Sequence, residues 1–205
     1  MAKILWFLLI KPNYRLDTPI NIISIISSVY LYILALAFAL VEIQIEGKHP
    51  WAKKLPTTIS DDVFNRFYNF LTGKKLTVYH FYMFLIVFLL FHLPFVADYT
   101  GKDGIRWTWQ QEFIALSEYF VFVVVWDFLW IVLNPYFTIR KFTPKGCSWH
   151  VRWKWNMPVD YIGSLIVAFI FAFAGYWAYQ FLFMMVIQLI LLAITILFAP
   201  AYKEE

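Results

Sequence analysis

The chain has 205 residues, of which 62% are hydrophobic, 22% aromatic and 15% charged. Soluble domains carry about 25% charged residues, so this balance, with a mean hydropathy of +0.66, excludes a disordered chain and an ordinary soluble enzyme. The single cysteine, Cys147, excludes an intrachain disulfide framework, and the formal charge of +4 lies in segments between apolar runs. There it orients spans in a bilayer rather than holding nucleic acid.

At the N-terminus, Lys3 precedes a short apolar run that meets Lys11-Pro12 with no small-residue cleavage site. Residues 1–10 therefore read as a retained interfacial segment rather than a signal peptide. A bilayer core about 30 Å thick needs roughly 20 apolar residues per helix. Residues 21–45, 78–97 and 113–136 each meet that length. Residues 161–199 carry no charged side chain and, at about 1.5 Å per residue, nearly double the bilayer thickness. They divide into two helices, 161–178 and 180–199, with a turn near 175–180. The expected architecture is an all-α integral membrane protein, one transmembrane domain over 1–205 with about five spans.

Between the first two spans, Ser60 is placed to cap a helix over 60–72 that Gly73 ends. Ile59, Val63, Phe64, Phe67, Phe70 and Leu71 share one face of it, and Asp62, Arg66 and Asn69 another. This predicts an amphipathic helix lying on the membrane surface. Residues 149–155 alternate apolar and polar, which predicts an extended segment with its tryptophans among lipid headgroups and its polar residues turned inward. With five spans, five basic residues fall on one side and twelve on the other. The positive-inside rule then places loops 47–77 and 137–157 in the cytoplasm of a multi-pass cell-membrane protein, with the N-terminus outside.

Ionisable groups inside spans are costly and mark function by default. Depth sorts them into two groups. His92 and Glu118 each lie about 7 Å inside the outer boundary on adjacent antiparallel helices, which predicts a bracing pair. Asp98, Asp103 and Glu112 read as solvated. Glu42, Glu46 and His80 lie near the inner boundary, Asp127 about 13 Å in, and loops can add His49 and His150. The expectation is a polar chamber open to the cytoplasm, with Asp127 and His80 carrying the chemistry. Glu42, His80, Asp127 and His150 are the candidate metal ligands, suited to zinc, iron or manganese, with Asn134, Glu46 and His49 supporting them from behind. No HxxxH or HxxEH spacing adds to the metal expectation. The bland alternative is that Asp127 pairs with His80 or a tryptophan N–H and braces the bundle. Asp160 reads as a charge at a helix N-terminus that is also deep enough to face the chamber. Cys147 reads as idle.

Two stretches carry a likeness. Glu46-Gly47, Trp51-Ala52 and Leu55-Pro56-Thr57, with Asp127-Phe128-Leu129-Trp130 and Leu133-Asn134-Pro135-Tyr136, resemble a family of small prokaryotic multi-pass membrane proteins. Trp149-His150 continues the likeness, which covers roughly the first 160 residues. It implies an architecture and a recurring Asp127, Asn134 and His150 pattern, and no activity.

The leading expectation is a membrane-embedded, metal-dependent enzyme acting on a lipid-like substrate at the cytoplasmic leaflet. Membrane lipids are the expected partners, with a protein partner or second copy meeting the 161–199 block if the chain is instead a structural or assembly subunit. A small transporter is weaker, since no inverted repeat or pair of Gly/Pro-broken helices is evident. A retinal pigment is excluded by the absence of lysine within any span.

Overall fold

The computed structural model describes residues 22–47, 63–73, 76–97 and 107–203. The expectations for residues 1–10, the Ser60 cap, His49 and the 51–57 part of the family likeness lie outside them. The described chain is mostly helical. In order it forms α1 (Ile22–Glu46), α2 (Val63–Thr72), α3 (Val78–Ala97), α4 (Trp109–Leu133), α5 (Val159–Ala174) and α6 (Ala178–Leu197). Four helical stretches, Ser24–Glu46, Val78–Phe95, Trp109–Leu133 and Ala178–Leu197, are long and apolar enough to cross a membrane. The protein is thus a helical membrane protein. At 16 residues, α5 is apolar but only about 24 Å long.

Helix ends follow local chemistry. The α4 helix starts at Trp109, four residues before the apolar run suggested, because Thr108 caps it: its hydroxyl accepts from the Gln111 N–H at 3.2 Å. It stops at Leu133, since Asn134 precedes Pro135 and takes the extended backbone that proline imposes (ψ 116°). Gly73 ends α2 in the left-handed region (φ 74°), its N–H bonded to the Asn69 carbonyl at 2.7 Å. The α5–α6 break falls in the expected interval, although no strong breaker stands there. Tyr176 adopts φ 55°, its N–H reaches the Phe173 carbonyl (3.1 Å), and the Trp177 N–H reaches that of Ala172 (2.7 Å). This is a Schellman ending with tyrosine where glycine is usual. Glycine sits one residue earlier for a different reason: a Cβ on Gly175 would meet the Gln110 carbonyl oxygen at 3.2 Å.

The central helix is α4, with 61% of its span buried against 17–33% for the other three. On one side Phe38 of α1 packs edge-on against Phe122 and Trp126, and on another Phe171 of α5 stacks over Phe113 and Phe120. Ala35, Ala39, Ala168 and Ala172 are fully buried, small enough to let the helices approach closely. The α6 helix lies along α1, where Gln188 Nε2 donates to the Ser28 carbonyl at 2.8 Å and the Tyr32 hydroxyl meets Thr195. Contacts fix the directions. Phe38 beside Phe122 and Asn134 beside Gly47 make α1 parallel to α4, while Phe171 beside Phe113 with Tyr161 beside Asp127 makes α5 antiparallel to it.

Beyond α4 the chain turns through a short 3-10 segment (Ile139–Lys141) into a hairpin, β1 (Trp153–Lys154) paired with β2 (Met157–Pro158). Trp155 and Asn156 both take positive φ (53° and 59°), as a two-residue hairpin turn requires. The alternating 149–155 stretch is therefore extended only from Trp153 onward. His150 is turned inward, but Arg152 and Lys154 are exposed. Of the three tryptophans only Trp155 is exposed, since Trp149 packs on Trp130 and Phe137 and Trp153 on Phe142.

Candidate functional site

The charged groups of one bundle end are brought together by three chain features. The antiparallel α4–α5 pairing sets Asp127 against the first turn of α5. Pro158 begins that helix, so Asp160 falls in its first turn, where the helix dipole favours a carboxylate. The 139–150 turns then return His150 over both acids. His150 Nδ1 lies 2.9 Å from Asp160 Oδ2. Its Nε2 lies 3.3 Å from Asp127 Oδ2, within ion-pair range but off the hydrogen-bond direction. The Tyr161 hydroxyl donates to that same Asp127 oxygen. His150 is buried, with 1% of its side chain exposed, whereas the Asp127 side chain is 39% exposed. Burial disfavours the imidazolium of His150, but Asp127 and Asp160 together outweigh it and raise its pKa above the ordinary histidine value.

Beside this network lies a cavity of about 180 Å³ over α4, between α3 and α5, with α2 across its inner end. Its walls include Glu42, His80, Asp127 and Asp160 together with aromatic side chains, among them Phe84, Phe120 and Trp126. Tyr79 donates to Glu42 Oε1 at 3.3 Å, and His80 Nδ1 lies 2.7 Å from the Thr77 hydroxyl that caps α3. Trp126 Nε1 faces Glu42 without hydrogen-bond geometry.

Three of the four expected ligands, Glu42, His80 and Asp127, thus line one cavity, from α1, α3 and α4. His150 stands behind the wall with its two nitrogens turned to Asp160 and Asp127. Among the described residues no three His, Cys, Asp or Glu side chains gather as a metal-ligand set. As placed, His150 presents both nitrogens to carboxylates, and Glu42, His80 and Asp127 reach the cavity from three different helices. Two supporting residues also sit elsewhere. Asn134 donates from Nδ2 to the Gly47 carbonyl (3.0 Å) and accepts from the Tyr136 N–H (3.1 Å), tying the end of α4 to the end of α1. Glu46, half-buried one turn beyond Glu42, does not line the cavity. His49 lies outside the described residues.

The cavity-facing role of Asp160, raised by its depth in the sequence, is realised. Tyr161 and Tyr79 had no such signal, because a tyrosine near a membrane boundary is indistinguishable in sequence from the ordinary aromatic belt. Cys147 is fully buried, with its Sγ 3.2 Å from the Lys141 carbonyl. Burial pushes the thiol up to about 12, which keeps it protonated and unreactive.

Comparison with protein-family models, with curated proteins and with solved structures finds no match to this chain.

Proposed function

We propose that the protein is a membrane-embedded enzyme acting on a lipid-like substrate at the cytoplasmic leaflet, with Asp127 as its proton-handling group. One observation carries this reading: Asp127 is held by Tyr161 and His150 yet keeps 39% of its side chain exposed, on the wall of a cavity. A carboxylate that only braced a bundle would be closed off by its partners. Asp160 fixes the His150 ring, and His150 in turn stabilises negative charge on Asp127, so Asp127 is set to take a proton from a substrate atom in the cavity. His80, across the cavity, is the second group able to move a proton there, and the Glu42 carboxyl lines the wall beside it. No step is routed through a metal, because the donors do not converge.

The orientation belongs to this proposal. Five spans, with α5 as the short one, put α2 and the Asp127 end of the bundle on the side carrying twelve of the seventeen basic residues. Phe84 beside Trp126 and His92 beside Glu112 make α3 antiparallel to α4, as α5 is, and this alternation supports that count. Phe70 of α2, 74% exposed, supports an interfacial placement of that helix.

The test is a comparison of lipid extracts, by mass spectrometry, from cells producing the wild type, the Asp127→Asn variant or neither. The expected result is a lipid species altered by the wild type alone. Identical profiles for the wild type and a folded Asp127→Asn protein overturn the enzyme reading.

A further inference from the structure

The walls of the cavity carry more information than the position of one acid. Three carboxyl groups, those of Glu42, Asp127 and Asp160, line it, and among the described residues no lysine or arginine does. His80 lines it too, and His150 behind the wall serves two of the acids at once. The remaining surface is chiefly aromatic: Tyr68, Phe84, Tyr119, Phe120, Trp126 and Tyr161 come from four different helix faces around one space. Negative charge inside an aromatic cage is the chemistry that recognises an alkylated ammonium group, whose spread positive charge sits against ring faces while carboxylates neutralise it. A phosphate or carboxylate would meet the Asp127 and Asp160 carboxylates there instead.

Size narrows the class further. At about 180 Å³ the space is comparable with the ~150 Å³ cavity that accommodates benzene. It holds a compact head group and not an acyl chain. Trp126 is buried with its indole N–H turned to Glu42, so its ring forms part of the cavity wall.

We infer that the cavity formed by Glu42, Asp127, Asp160 and the surrounding aromatic rings binds a small alkylated ammonium head group. This rests on the reading of the cavity as the substrate site and names its substrate class. Such a head group comes either from a membrane lipid or from a free amino alcohol.

The test uses the full chain purified in a maltoside detergent and isothermal titration calorimetry with four probes. These are choline; its neutral isostere 3,3-dimethylbutan-1-ol, which replaces the nitrogen by carbon; and lysolipids with phosphocholine or phosphoglycerol heads. At least one ammonium probe is expected to bind at least about tenfold more tightly than its counterpart lacking the ammonium. Binding by free choline assigns the ligand to a soluble amino alcohol, and binding by the phosphocholine lysolipid alone assigns it to a lipid head group. Phe120→Leu, which removes a ring from the wall and leaves the carboxylates, is expected to weaken that binding about fivefold in a protein that still unfolds cooperatively. Equal affinity for the charged probe and its counterpart, or no binding of either ammonium probe, overturns the inference. The lipid-extract comparison is read separately. Altered lipids without ammonium preference remove only this substrate class, and ammonium binding with unaltered lipids removes only the enzyme reading.

Discussion

At its two ends the bundle treats a histidine and its acids in opposite ways. At the end that the proposed orientation places outside, His92 Nδ1 lies 2.7 Å from the Phe88 carbonyl and its Nε2 3.0 Å from Glu112 Oε1, while Glu112 Oε2 accepts from the Trp107 indole at 2.7 Å. Each ring nitrogen and each carboxylate oxygen there has a partner. At the other end, inner in the proposed orientation, His150 is bonded through Nδ1 to Asp160 while its Nε2 only approaches Asp127, and Asp127 lines a cavity with Glu42, His80 and Asp160. A carboxyl group closed off by its partners braces a fold, whereas one with an exposed face on a cavity is within reach of a ligand. Under the proposed function the outer group serves stability and the inner one the site.

The sharpest break of that contrast is Asp127→Asn. It keeps the shape and removes the proton-handling carboxylate, and is expected to lower the rate of the lipid conversion by at least ~100-fold, measured by lipid turnover in cells producing comparable amounts of folded protein. Next is His150→Ala, which leaves Asp160 and Asp127 facing each other without a cation. A loss of ~3 kcal/mol is expected from removing one partner of a buried pair, measured by chemical unfolding in detergent.

The same pair has a pH dependence of defined sign. The folded-state pKa of His150 is raised, so its stabilisation is complete below the unfolded value of about 6.5. It is lost as pH rises through the higher folded value. The wild type should therefore lose stability over that alkaline-going window, and His150→Ala should not. An unchanged pH profile between the two removes the imidazolium from the network.

Smaller effects belong to the outer end and the α5–α6 turn. His92→Phe is expected to cost about 1 kcal/mol with lipid turnover unchanged; a tenfold loss of turnover would move function to that end as well. Tyr176→Gly relieves a left-handed backbone at φ 55° and should stabilise the protein by up to about 1 kcal/mol, seen as a small rise in the unfolding midpoint. Destabilisation would mean that the exposed tyrosine ring contributes more than its backbone costs.

The outer end also shows where depth along the chain misleads. Matching depths paired His92 with Glu118, but Glu112 takes that place, six residues earlier on α4, and Glu118 is buried in the bundle. Depth counted from Phe113, where the unbroken apolar run begins, starts α4 too late. The Thr108 cap starts the helix earlier, so Glu112 lies within it and level with His92.

Apolar run lengths determined most of the described helices, including the division of 161–199, because exposed backbone in a hydrocarbon core must be internally bonded. The cost of charge in that core likewise marked Glu42, His80 and Asp127 as belonging to one end. Three things were decided by tertiary structure alone: that Asp127 shares its histidine with Asp160, that Tyr161 holds its oxygen, and that Asn134 serves the α1–α4 junction instead of the cavity. The first depends on how the 134–158 chain turns back over α4 and α5, and the other two on how α5 and α1 pack against α4. Hydropathy and periodicity carry no information about a loop's path, so pairings that cross it are settled only when the helices pack.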